Sequence, residues 1–125
     1  MSHQVLGPQF AWHVSSPRNR RSIEAEGLRS DPFYQNIPRH QRHIWLFTSR
    51  DVAEEATKPV PHGFGTRKRR ADLWRADVSG MEMQPDPHPG WGSLRPGWDE
   101  ASRVVSEPIP PERVKRMRPR RKRAS

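Results

Sequence analysis

Apolar and polar positions alternate with a period of two over Phe10-Ala11-Trp12-His13-Val14-Ser15, which predicts a strand over residues 10–15. Alternation puts Phe10, Trp12 and Val14 on one face and Ala11, His13 and Ser15 on the other. His13 therefore projects from the less apolar face beside a small hydroxyl, the kind of face that lines a cleft. The period changes at Ser16-Pro17. A serine able to cap, a proline at the first helical position and Gly27 about three turns later predict a helix over 17–26. A second strand and helix follow over 43–48 and 50–57, from Ile44-Trp45-Leu46-Phe47-Thr48-Ser49 and Asp51-Val52-Ala53-Glu54-Glu55-Ala56. Further strands are predicted near 72–78, 81–83, 102–106 and 112–117. Many short strands with few helices predict an α+β or mainly β domain, of which we take α+β.

Composition limits how large that domain's core can be. The chain has 125 residues, 31% hydrophobic and 30% charged, so one small core is the ceiling, with five Trp and four Phe as its largest apolar units. Fourteen prolines predict short elements joined by loops. Residues 1–9 read as a flexible leader, 10–117 as the domain and 118–125 as a disordered basic tail, since Arg-Pro-Arg-Arg-Lys-Arg buries nothing apolar. Ser30–Arg42 reads as a loop that covers a site. Gly90–Trp98 reads as irregular, its Trp side chains packed beneath the loop. There is no cysteine, hence no disulfide framework and no thiolate nucleophile. Apolar runs too short for a membrane span, with no signal-like N-terminus, lead us to expect a soluble cytoplasmic protein without membrane contact.

The formal net charge of +9 is unevenly placed. Arg113, Lys115, Arg116, Arg118, Arg120, Arg121, Lys122 and Arg123 hold eight positive charges with no acid among them, which leaves the remainder at +1. A second cluster, Arg67-Lys68-Arg69-Arg70, follows the loop glycines of Gly63-Phe64-Gly65. Two basic clusters on a balanced body point to a polyanion such as nucleic acid, held through Arg113–Arg123 and Arg67–Arg70, or to a solubilising extension. The Gly63–Arg70 stretch is not a phosphate-binding loop of the Gly-Lys-Ser/Thr kind. His40, His43, His62 and His88 lack the cysteine or carboxylate partners of a zinc site, so no metal is expected.

The strand bearing His13, the Ser16–Gly27 helix, the Ile44–Phe47 strand with its helix, the Leu73–Val78 strand leading to Gln84-Pro85-Asp86-Pro87, and the closing Ser102–Ile109 segment together resemble the ADP-ribosyltransferase fold. They are similar to the small rifamycin-inactivating ADP-ribosyltransferases, over roughly residues 10–117. The resemblance implies a small split β-sheet with one or two short helices, NAD as substrate and ADP-ribose transfer to an acceptor it does not name. It places His13 on the adenosine ribose of NAD, with Ser15 beside it. Trp45 stands where the family shows a tyrosine, and Phe47 shares its strand face. Val14-Ser15 stands where the family usually has glycine and threonine.

Breaking the N-glycosidic bond of NAD passes through an oxocarbenium-like transition state, which needs the ribose held, an aromatic surface for the departing nicotinamide, and a nearby carboxylate. Two acids compete for the last role. Asp86 matches the rifamycin-type pattern and is our first choice; Glu107 lies where other members of the superfamily carry a catalytic glutamate. The alternative expectation is a non-catalytic nucleic-acid-binding module on a degenerate transferase fold, whose tail and Arg67–Arg70 loop grip phosphates; a third joins the two, an enzyme that modifies or dephosphorylates a nucleic acid recruited by the tail, with Arg20, Arg21 and Arg103 as the motif-adjacent contacts for a phosphate in the cleft.

Overall fold

The computed structural model describes residues 9–29, 43–85 and 98–118. Asp86, the leader up to residue 8, the 30–42 loop, the aromatic loop up to residue 97 and the tail from residue 119 lie outside the described residues.

Six strands form one antiparallel sheet in the order β4-β5-β2-β1-β3-β6. In chain order the elements are β1 (Phe10–Ser15), α1 (Arg20–Glu26), β2 (Ile44–Phe47), α2 (Arg50–Ala56), β3 (Asp72–Asp77), β4 (Gln84–Pro85), α3 (Trp98–Ala101), β5 (Ser102–Val105) and β6 (Val114–Met117). The fold is thus α+β, and α1 and α2 are its two main helices. No helix among the described residues is long and apolar enough to cross a membrane.

The helices are capped by the residues that announced them. Ser16 accepts from the Arg18 amide at 3.3 Å, and Pro17 opens a 3-10 turn that runs into α1. Gly27 ends α1 at φ +76° with its amide on the Ile23 carbonyl, and Leu28 then pairs with Ile109 through two backbone bonds of 2.9 Å. A Cβ at Gly27 would stand 2.0 Å from the Ile109 carbonyl oxygen, so only glycine allows this approach. Ser49 caps α2 by accepting from the Val52 amide at 3.2 Å.

The sheet carries a core on each face. One holds Ala11, Ile23, Leu28, Ile44, Leu46, Trp74, Ala76, Val78, Val105 and Ile109; the other holds Phe47, Ala53, Ala56, Leu73 and Ala101, flanked by Trp12 and Val14. Ala53 and Ala56 have no exposed surface, and their small side chains bring α2 close against β1 and β2. Full burial of Leu46, Leu73 or Trp74 contributes about 1.5–3 kcal/mol each. The face with fewer apolar residues in β1 is the more deeply buried one, because Ala11 and Ser15 lie under the α1 side while Trp12 and Val14 remain partly open.

Pairing is uneven. β1 pairs with β3 at every position from Phe10↔Asp77 to Ser15↔Asp72, whereas β1 and β2 share the single pair Trp12↔Phe47. Beyond it, where His13–Ser15 would meet Ile44–Leu46, the two strands are unpaired and the sheet opens.

Candidate functional site

The opening between β1 and β2 holds a cavity of about 330 Å³, within the size range of small-molecule sites. It is lined by β1 from His13 onward, Asn19, Ser22 and Ile23 at the start of α1, Gly27–Arg29 after its end, and His43–Trp45 at the start of β2. His13 crosses the gap. Its Nδ1 donates to the Trp45 carbonyl at 2.9 Å, so a side chain supplies a link between strands whose backbones have separated. That bond fixes the tautomer and leaves the lone pair on Nε2, which makes the second nitrogen an acceptor. The ring keeps some accessible surface through the cavity, yet protein encloses it. The lost solvation lowers its pKa below the usual imidazole value, against a smaller opposing effect of the Trp45 carbonyl. The imidazole is neutral at pH 7.

His43 stands beside it. Its ring meets Trp45 edge to face, with centroids 6.0 Å apart, and its Nδ1 is buried without a hydrogen-bond partner among the described residues. The indole nitrogens of Trp12 and Trp74 are buried in the same way. Hydroxyls and an amide surround the rest of the opening. Asn19 Nδ2 donates to Ser15 Oγ at 3.0 Å, which ties the first turn to the end of β1. Arg29, ion-paired with Glu26, adds a cation at the rim.

Of the residues singled out in the sequence, the structure brings His13, Ser15 and Trp45 to this cavity. Phe47 does not line it; the ring is 8% exposed and packs with Ala53, Ala56, Leu73 and Ala101. Glu107 is exposed in the turn after β5 and lines a separate depression of about 110 Å³ with Met81, Glu82, Gln84, Val104 and Ser106. Asp86 is outside the described residues, and no described carboxylate lines the cavity. Arg20 is committed elsewhere, with a two-pronged bond to Asp72 at 2.9 Å for both contacts, and Arg103 donates to the Glu100 and Ser102 carbonyls. Neither lines the opening. Sequence reasoning missed the part His43 plays, because it weighed that residue only as a zinc ligand. The signal was its position on the alternation of β2, two residues before Trp45. Among the described residues no three His, Asp or Glu side chains gather closely enough to hold a metal ion.

No protein-family model matches the chain, and no curated protein matches its sequence.

Proposed function

We propose that this domain is an ADP-ribosyltransferase-like protein that binds NAD in the β1–β2 opening and transfers ADP-ribose to an acceptor. The observation that carries the reading is the pair of imidazoles at the cavity. One has its Nδ1 spent on the Trp45 carbonyl and its Nε2 available as an acceptor; the other has a buried nitrogen that lacks a partner. A ribose offers hydroxyl donors of the kind Nε2 takes. Trp45 lines the cavity, and this reading assigns its indole as the apolar plane for the departing nicotinamide. In the reaction the C1′–N bond of the nicotinamide riboside breaks and its electron pair leaves with nicotinamide. The acceptor's lone pair then closes on C1′, and the acceptor's proton is lost to solvent or a base.

A carboxylate is still needed to offset charge at C1′. The family pattern assigns it to Asp86, with Glu107 as the other candidate. NAD titration by calorimetry, with nicotinamide release as the turnover readout, tests the reading. His13→Ala should weaken NAD binding by about 1–3 kcal/mol, the cost of leaving a desolvated polar contact unmade. Asp86→Ala should abolish release while NAD affinity stays within a few fold, because its contribution grows in the transition state. Loss of release in Glu107→Ala instead would move the carboxylate role to that residue. Undiminished NAD affinity in folded His13→Ala, or no NAD binding by the intact chain, would overturn the proposal.

A further inference from the structure

The two basic clusters lie far apart in the sequence, yet the sheet register brings the described end of one, at Arg118, to the start of β3, where the other ends. β6 pairs with β3 so that Met117 stands opposite Leu73, which sets Arg118, just past the end of β6, beside the start of β3. The Arg67–Arg70 loop enters β3 at that same point, through Ala71 and Asp72. Lys115 and Arg116 on the outer strand, Arg118 just past it, and Arg67, Lys68 and Arg69 in the loop are all exposed, and none ion-pairs with a described acid. Arg75, by contrast, is engaged over the Phe10 ring at 4.4 Å, and Arg70 donates to Thr57 Oγ1.

The loop is a built structure. The Ala71 amide closes it on the Thr57 carbonyl at 2.8 Å, and the Phe64 and Gly65 amides bond to the Ala56 and Lys58 carbonyls. Thr66 Oγ1 accepts from the amides of Lys68 and Arg69. Held on this loop, three residues before Arg67, Phe64 is 45% exposed, one of two large hydrophobic side chains so exposed among the described residues. A row of unpaired cations with an exposed aromatic ring is the combination that takes a nucleic-acid strand with unpaired bases: cations track the phosphates and the ring stacks on a base. A duplex, whose bases are already stacked, has no use for the ring.

We propose that the β6 edge and the 57–71 loop form one surface for single-stranded nucleic acid. Its end of the sheet is the end where Ser15, opposite Asp72, borders the cavity, and β6 lies two strands from β1, about 10 Å at ~4.8 Å per strand. The surface is a binding site in its own right and stands whether or not the cavity turns over NAD.

Fluorescence anisotropy of the full chain with a labelled 12-nucleotide single strand, at a series of salt concentrations, tests it; a duplex of the same length and NAD titrations of every variant run in parallel. The single strand should bind more tightly than the duplex, with log affinity falling against log salt by about 0.7 for each phosphate neutralised. The triple variant R67Q/K68Q/R69Q and the double variant K115Q/R116Q should each weaken binding and flatten that slope. Phe64→Ala should cost about 5- to 100-fold in affinity and leave the slope unchanged. NAD affinity should not move in any of them. Failure of the single strand to bind, or slopes that ignore both sets of substitutions, overturns the proposal and leaves these residues as protection for an edge strand. A duplex bound as tightly as the single strand, with Phe64→Ala neutral, also overturns it. An NAD result in either direction bears on the cavity alone.

Discussion

His13 shows how one side chain serves a fold and a site together. Its lowered pKa follows from enclosure in the sheet opening, so the native state holds it neutral while the unfolded chain protonates it below about 6.5. The unfolded state then binds more protons. The stability that depends on neutral His13 is complete above about pH 6.5 and is lost as pH falls from there through the lower native pKa. His13→Gln keeps an N–H for the Trp45 carbonyl and removes the titration. Urea unfolding from pH 7.5 to 5 should show wild type losing stability that the glutamine variant retains, and parallel curves would refute the assignment. The histidine was legible in the sequence because strand alternation alone gives its face. His43 was not, since its significance comes from an opening that exists only once β1 and β2 diverge. Phe47 shares a strand face with Trp45, but that face slides under α2 by its second aromatic position, so the sequence period cannot tell a cavity wall from a core.

At the scale of elements, the alternation and the caps located β1, β2, β3, β5, β6 and both main helices to within a few residues. Two places differ. Strand pairing near residues 81–83 begins later, at Gln84↔Val104, because Met81 still belongs to the turn, its amide on the Val78 carbonyl, while Met81 and Met83 anchor into the core through their side chains. The aromatic loop expected up to Trp98 gives way to the short α3, whose Ala101 carbonyl accepts from both the amide and the hydroxyl of Thr48. Cross-element contacts of this kind leave no periodic trace. Gly27 and Gly80 make the element scale testable, because both sit at φ +76° and differ in their surroundings. A Cβ on Gly80 meets open space; one on Gly27 meets the Ile109–Pro111 backbone. Gly80→Ala should cost about 1–2 kcal/mol from backbone strain alone, whereas Gly27→Ala should cost about 2–4 kcal/mol, strain plus overpacking. Equal losses in thermal or urea unfolding would remove the close approach of α1's end to Ile109 as a determinant of the fold.

At the scale of the whole molecule, charge and topology combine in a way that composition could not disclose. Two basic clusters were evident in the sequence, but their convergence depends on which residue of β6 faces which residue of β3. No local pattern encodes that register. The same holds for the cavity, which is produced by a pairing that stops. With Trp12↔Phe47 as the single shared pair, the sheet has two three-stranded halves, β4-β5-β2 and β1-β3-β6, joined by that pair, by the His13 bond to Trp45, by α2 lying across both and by the two cores they share. The seam is the cheapest place for the native state to open locally. Hydrogen–deuterium exchange should find the amides of β1 and β2 that face each other losing protection well before those between β1 and β3, and uniform protection across the sheet would contradict this. A ligand lodged in the seam touches both halves and withholds from each the freedom to part. Occupancy should therefore be read far from the cavity, as slowed exchange spreading outward through β3 and β5.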